Sequence, residues 1–206
     1  MSKFEFPPSI RSRPVYGTLA PQAGSGHLIV ADAEGAEAIF DLLAADPSMA
    51  ATTHIIYIPK ATGETYIARL EALGCAQLYI GPSYSAAASR LARTLQDAQM
   101  GLQVYLTGTE GTMGQAMFAA TSAGIPHSAI QTEHRGSVAR RMQCVHCKGI
   151  TEDVETDPFV CSHCGLNLFV RDHYSRRLAA FQGVRVDAED PGNVPDAVAL
   201  YADGDV

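Results

Sequence analysis

Between residues 26 and 133 the chain switches repeatedly from a short apolar run to a stretch with helical spacing, and this alternation restricts the fold more than any other feature. Residues 26–32 form the first apolar run, and residues 34–45 follow with Ala36, Ile39, Phe40 and Leu43 on one helical face. The pattern returns as a run at 54–58 before a helix at 66–73, and as a run at 77–80 before a helix at 85–98 with Ala87, Leu91 and Leu95 in phase. A fourth unit pairs 103–107 with 113–122, and residues 129–133 supply a last strand. Short apolar strands alternating with amphipathic helices bury both sheet faces only when the strands run parallel with helices packed on each side. The expectation is an α/β fold: a doubly wound parallel five-stranded sheet over residues 27–134. Such sheets bind ligands at the carboxyl ends of their strands, here the loops after the first and fourth.

A different signal follows the sheet. Cys144 and Cys147 form one Cys-x2-Cys pair, and Cys161 and Cys164 form another after a thirteen-residue spacer. Each pair bends the backbone into a knuckle that points two thiolates at one position, and two knuckles complete a tetrahedral four-sulfur cage. Gly165 suits the tight turn after the second pair, having no Cβ to clash at positive φ. Two disulfides or four free thiols are the alternatives, and both are disfavoured without a secretory signal. Four thiolates bind zinc or a mononuclear iron, and the short spacer favours zinc. The spacer has room for a hairpin, and residues 166–170 alternate as a third strand would, so residues 135–184 read as a small zinc-ribbon module. Residues 171–184 read as a short helix after it, with Leu178 and Phe181 on one side and arginines on the other. His146 and His163 sit at non-ligand positions of the knuckles.

The flanks are simpler. Prolines and glycines throughout residues 1–26 exclude helical or strand periodicity and leave an extended arm lying on a partner or on the sheet domain. Residues 185–206 form an acidic tail. Net charge is −7, which removes the general basic footprint of a nucleic-acid binder. No leader and no apolar stretch of bilayer length stands in the sequence, so a cytoplasmic protein with no membrane contact is expected. Arg135, Arg140 and Arg141 make a local basic patch, either a solvated linker or a docking surface for an acidic partner. Cys75, at a helix end, reads as a buried and inert thiol. No catalytic triad or carboxylate pair can be assembled, so catalytic residues are unknown.

The fourth unit carries a resemblance. Thr107-Gly108-Thr109-Glu110-Gly111-Thr112-Met113, followed by Gly124-Ile125-Pro126 and a final strand, resembles the end of the nicotinamide-binding domain of the ferredoxin reductase family. The resemblance implies the strand order 3-2-1-4-5. The first unit departs from it, because that family places glycines after strand one so that a pyrophosphate meets bare amides at a helix N-terminus. Here the loop is Ala31-Asp32-Ala33-Glu34-Gly35, and two carboxylates repel a diphosphate. They also suit a helix N-terminus by themselves. The reactive cysteine of that family is replaced by Thr107. A reductase shape without nucleotide binding is therefore expected, with no cofactor-binding residues assigned.

The segment Arg171-Asp172-His173-Tyr174-Ser175-Arg176-Arg177-Leu178-Ala179-Ala180-Phe181-Gln182-Gly183, taken with the preceding cysteines, resembles the A subunit, DmmA-type, of bacterial dimethylamine monooxygenase. That family's enzyme is a multi-subunit, NADPH-dependent monooxygenase turning dimethylamine and dioxygen into methylamine and formaldehyde. The resemblance implies that NADPH, flavin, iron-sulfur and heme groups belong to reductase and oxygenase partners. This chain would then be a noncatalytic docking subunit of a hetero-oligomer with a structural metal, Arg171, Arg176 and Arg177 being interface candidates. Two alternatives stay open: an electron-transfer subunit with rubredoxin-like iron, and a zinc-ribbon nucleic-acid binder.

Overall fold

The computed structural model describes residues 14–200 and divides into two compact units, Tyr16–Val138 and a unit built from Ala139 onward. In the first, strands β1 (Gly26–Asp32), β2 (Thr53–Ile58), β3 (Gln77–Ile80), β4 (Leu102–Gly108) and β5 (Ile130–His134) make one parallel sheet in the order β3-β2-β1-β4-β5. Ile29 lies between Ile55 and Tyr105 in register, so the central strand is buried on both faces. Helices α1 (Gly35–Ala45) and α2 (Ile67–Ala72) cover one face through Ile39, Leu42 and Leu70 over Ile29, Ile55 and Tyr57. Helices α3 (Tyr84–Gln96) and α4 (Glu110–Ser122) cover the other through Leu91, Leu95, Met113 and Ala116 over Leu28, Ile56 and Leu106. This is the doubly wound sheet that the alternation predicts, in the strand order the reductase resemblance implies.

The arm, from Tyr16 on, lies along the sheet domain. The Gly17 amide donates to the Thr132 carbonyl at 2.9 Å, and the Leu19 amide donates to the Glu133 carboxylate at 2.6 Å. Ala20 and the Gln131 side chain exchange two hydrogen bonds of 2.8 and 2.9 Å. Leu19 joins the core on the face of α1 and α2. A segment with no periodicity of its own is thus held by polar groups of β4, β5 and α4, with Leu19 and Tyr16 as apolar anchors on opposite faces. Its first thirteen residues, like the tail beyond Leu200, lie outside the described part.

The second unit is all β. Strands β6 (Arg140–Cys144), β7 (Ile150–Val154), β9 (Phe159–Val160), β10 (Asn167–Ser175) and β11 (Ala180–Arg185) form a sheet in the order β7-β6-β11-β10-β9. Only β6 and β11 pair in parallel, Cys144 opposite Gly183. A separate two-stranded sheet pairs β8 (Thr156–Asp157) with β12 (Val198–Ala199), so part of the acidic tail is ordered against the ribbon. The core is Met142, Val154, Phe159, Leu168, Tyr174 and Phe181, packed with Cys144 and Cys161.

The helix expected at residues 171–184 is not there; the segment is a hairpin. Its local spacing of Leu178 and Phe181 fits a helix, but the tertiary context overrides it. Tyr174 pairs with Phe181 across the strands, their rings 4.9 Å apart, which buries two aromatics where a helix would bury one. The turn closes by the Leu178 amide donating to the Ser175 carbonyl at 3.2 Å, with Ala179 at φ 50°. From β6, Arg140 stacks 4.3 Å over the Phe181 ring, and Arg141 donates to the Leu178 carbonyl. The three linker arginines accordingly do not form a free basic patch. Arg135 pairs with Glu133 and Asp41, Arg140 with Asp172, and Arg141 with Glu152.

Candidate metal centre and strand-end crevice

The two knuckles repeat one backbone design. In the first, the Lys148 amide donates to the Cys144 carbonyl at 3.0 Å and the Cys144 amide to the Gly149 carbonyl at 2.9 Å. In the second, the Gly165 amide donates to the Cys161 carbonyl at 3.0 Å and the Cys161 amide to the Leu166 carbonyl at 2.9 Å. The residue after each pair is left-handed, Lys148 at φ 64° and Gly165 at φ 72°. Gly165 adopts that turn as its missing Cβ predicts, whereas Lys148 carries the same turn with a side chain.

Cys144, Cys147, Cys161 and Cys164 converge, their sulfurs all within 4.8 Å of one another. Cys144 and Cys164 lie 3.9 Å apart and Cys147 and Cys161 3.7 Å. A tetrahedron with metal–sulfur bonds of about 2.3 Å has edges of ~3.8 Å, so these separations suit a shared tetrahedral ion. They are far beyond a sulfur–sulfur bond of roughly 2.05 Å, and the cysteines are free. Burial opposes ionisation of Cys161, but the amides of Cys164 and His163 and the neighbouring thiols outweigh it and lower its pKa to about 6. At Cys164 the Leu166 amide favours the thiolate, while burial and the three other sulfurs push the pKa up to about 12. Metal binding needs thiolates, and a bound cation supplies the charge that favours them. The donor set thus fits a metal, which the four cysteines could hold.

His163 is not directed at this point. Its Nε2 lies 2.8 Å from the Ile150 carbonyl, and its ring packs so closely on Gly149 that a Cβ there would fall 2.5 Å away. It ties one knuckle to the strand leaving the other. Cys147 is the exposed ligand of the set, Cys144 and Cys161 being buried.

At the carboxyl ends of the parallel strands a second polar cluster occupies the switch point between β1 and β4. The Asp32 carboxylate is fully buried. It accepts the Thr109 amide at 2.7 Å and the Thr109 and Thr112 hydroxyls at 2.6 Å each. Lys60, just past β2, reaches it at 2.8 Å and also donates to the Thr109 hydroxyl at 3.0 Å. Asp32 therefore does not serve its own helix α1, the role its place in the sequence suggests. It caps α4, because the crossover brings the end of β1 beside the start of the helix after β4. This non-local cap also explains why α4 begins at Glu110, earlier than residue 113 expected from periodicity. Gly108 turns here at φ 113°, and a Cβ on it would fall 1.9 Å from the Asp32 carboxylate oxygen.

Sequence reasoning placed Asp32 in this loop but missed Lys60 and Thr112 as its partners. The signal was present: a lysine, an aspartate and a threonine pair at the ends of second, first and fourth strands that the predicted order makes neighbours. Thr107, in place of the reductases' cysteine, is buried with its hydroxyl unpaired among the described residues. Cys75 is half-buried rather than buried, and burial raises its pKa, which keeps the thiol unreactive. Among the described residues no helix is long and apolar enough to cross a membrane.

Comparison with known proteins follows the same two-part division. The family described as dimethylamine monooxygenase subunit DmmA-like matches with its N-terminal domain over residues 8–130 and its C-terminal domain over residues 141–184. The heme-dependent oxidative N-demethylase delta subunit of Ectopseudomonas mendocina (strain ymp) is 35% identical over 101 residues, 49% of this chain and 58% of that protein. The match thus spans little more than half the length of that relative. Among solved structures, phthalate dioxygenase reductase superposes with a TM-score of 0.46 at 11% identity, over 69% of this chain and 47% of that one. The flavohemoglobin of Malassezia yamatoensis gives a TM-score of 0.40 at 14% identity, over 55% and 32% of the two chains. With both of its domains matched in order, the chain belongs to the dimethylamine monooxygenase subunit DmmA-like family.

Proposed function

We propose that this chain is a noncatalytic docking subunit of a multicomponent, NADPH-dependent dimethylamine monooxygenase, which converts dimethylamine and dioxygen to methylamine and formaldehyde. The observation that carries this reading is Asp32: at the end of β1, where the reductase family offers bare amides to a pyrophosphate, this chain buries a carboxylate paired with Lys60 and the Thr109 amide. A sheet so filled has no use for NADPH of its own. Electron delivery and oxygen chemistry then fall to reductase and oxygenase subunits carrying flavin, iron-sulfur and heme groups. The similarity to a protein named as a delta subunit supports membership in an assembly. Four uncrosslinked cysteines fit a reducing, cytoplasmic compartment.

In this role Cys144, Cys147, Cys161 and Cys164 hold zinc, which when bound cross-links the two knuckles. Arg171, Arg176 and Arg177 offer the docking face. All are exposed; Arg176 and Arg177 form the tip of the β10–β11 turn, and Arg171 lies 5.9 Å over the Phe169 ring. Charges at a hairpin tip reach an acidic partner before the rest of the surface does. Changing Arg176→Glu together with Arg177→Glu should cut co-purification with the other monooxygenase subunits by at least tenfold while metal content stays at one equivalent. Undiminished co-purification would remove these arginines from the interface. Failure of the unaltered chain to co-purify with any oxygenase or reductase subunit would remove the docking role itself.

One observation favours a second reading. Cys147 is exposed, and an exposed ligand is what electron exchange with a partner requires. In that reading the cage holds iron and the subunit relays electrons. Metal analysis with visible spectroscopy separates the two: a colourless protein with one zinc supports the docking role, and a red protein with thiolate-to-iron absorption supports the relay.

A further inference from the structure

At the end of the sheet opposite Asp32 a cleft of about 450 Å³ opens among the amino ends of β1, β2 and β3, the carboxyl half of α3 and the loop entering β4. We propose that this cleft is a binding site for the carboxylate or phosphate group of a small molecule, held between Arg90 and Arg93. The inference stands apart from the docking role and from the metal.

Arg90 is fixed without being neutralised. Its Nε donates to His54 Nε2 at 3.5 Å and its Nη2 to the Gln77 side-chain oxygen at 2.5 Å. His54 Nδ1 faces the Thr94 hydroxyl at 3.3 Å, and that hydroxyl donates to the Arg90 carbonyl at 3.0 Å. The chain of donors and acceptors is consistent only if Nε2 carries no proton and Nδ1 does. Burial, and then the Arg90 charge, lower the His54 pKa and keep the ring in this neutral form. The guanidinium is therefore oriented by two uncharged partners and retains its full positive charge. Such a fork is prepared for an oxyanion.

Five other arginines, Arg69, Arg135, Arg140, Arg141 and Arg185, each meet a carboxylate, while Arg171, Arg176 and Arg177 of the β10–β11 hairpin are not part of this lining. Among the described residues Arg90 and Arg93 form no ion pair, though both line this cleft. Arg93 stands one helical turn beyond Arg90 and is exposed. Opposing them are Asp97, the one carboxylate in the lining, and the carboxyl end of α3, equivalent to about half a negative charge. Two guanidinium charges outweigh that sum, so the cleft keeps a positive field. Its volume suits a small ligand rather than a single ion.

The test uses the full metal-loaded chain, titrated calorimetrically with inorganic phosphate and, separately, with succinate, at ionic strength held constant with sodium chloride. Saturable binding of one or both is expected, and the stronger arm identifies the anionic group. Arg93→Ala should weaken it at least tenfold with unchanged circular dichroism and metal content, since Arg93 is exposed on α3 and alanine suits a helix. Arg90→Lys, which keeps the charge and loses the fork, should weaken it as well, and Arg69→Ala should leave it unchanged. Binding of neither anion above the chloride background, or equal binding by the Arg93→Ala protein, would overturn the proposal.

Discussion

Replacing Cys161 by Ser should strip the protein of its metal and unfold the unit from Ala139 onward, while the sheet unit stays intact. Cys161 is buried, and its amide and carbonyl close the second knuckle, so the loss removes one of four sulfurs and leaves the other three facing a poorly fitting oxygen. The remaining apolar core is a handful of side chains centred on Met142, Leu168 and Phe181. A core of that size supplies only a few kcal/mol, against roughly 10–16 kcal/mol from a structural zinc site. The metal contribution wins, and without it the β unit should melt. Backbone amide spectra should show the resonances of residues 140–185 collapsing to unfolded positions while those of β1 to β5 remain dispersed. A chelator acting on the unaltered protein should reproduce the pattern. Retention of a full metal equivalent by the Cys161→Ser protein would contradict the four-sulfur site.

The second large effect is expected in the other unit. Asp32→Ala should destabilise the sheet unit by about 3–5 kcal/mol in denaturant unfolding, because removing one member of a buried ion pair leaves its partners uncompensated. Those partners are the Lys60 ammonium, the Thr109 amide and two threonine hydroxyls. Lys60 is partly exposed and can turn toward water, which places the loss at the lower end of the range. Asp32→Asn keeps the shape and should cost less. Combining Asp32→Asn with Lys60→Met should recover part of the loss, since neither charge is then left alone. If Asp32→Ala were neutral, the cluster would have no structural role.

The two units differ in how far they can be read before folding. Periodicity alone recovers the sheet strands, since Leu28 to Ala31 and Val104 to Leu106 are buried on both faces and have to be apolar throughout. The cage is equally legible, because the spacing of four cysteines is set by sulfur geometry and not by long-range packing. Less is readable where partners come from far along the chain. Lys60 and Thr112 meet Asp32 only through the strand order, not through any pattern in its own loop. Residues 171–184 carry a helical spacing, and the Tyr174–Phe181 pair together with the parallel neighbour β6, whose Arg140 lies over Phe181, makes the hairpin the better solution. The linker arginines look free for the same reason: Asp41, Asp172 and Glu152 lie 11 to 94 positions away.

The Asp32 cluster has a consequence in mass action. A domain that closes around a diffusing nucleotide gains stability in proportion to the logarithm of the ligand's concentration and loses it when the ligand is scarce. Here the anion is covalently part of the chain, so its effective concentration never changes and cannot be competed away. In the proposed docking role, cofactor supply would have no lever on the strand-end geometry of this sheet, and a rise in its melting temperature with added NADPH would contradict that role.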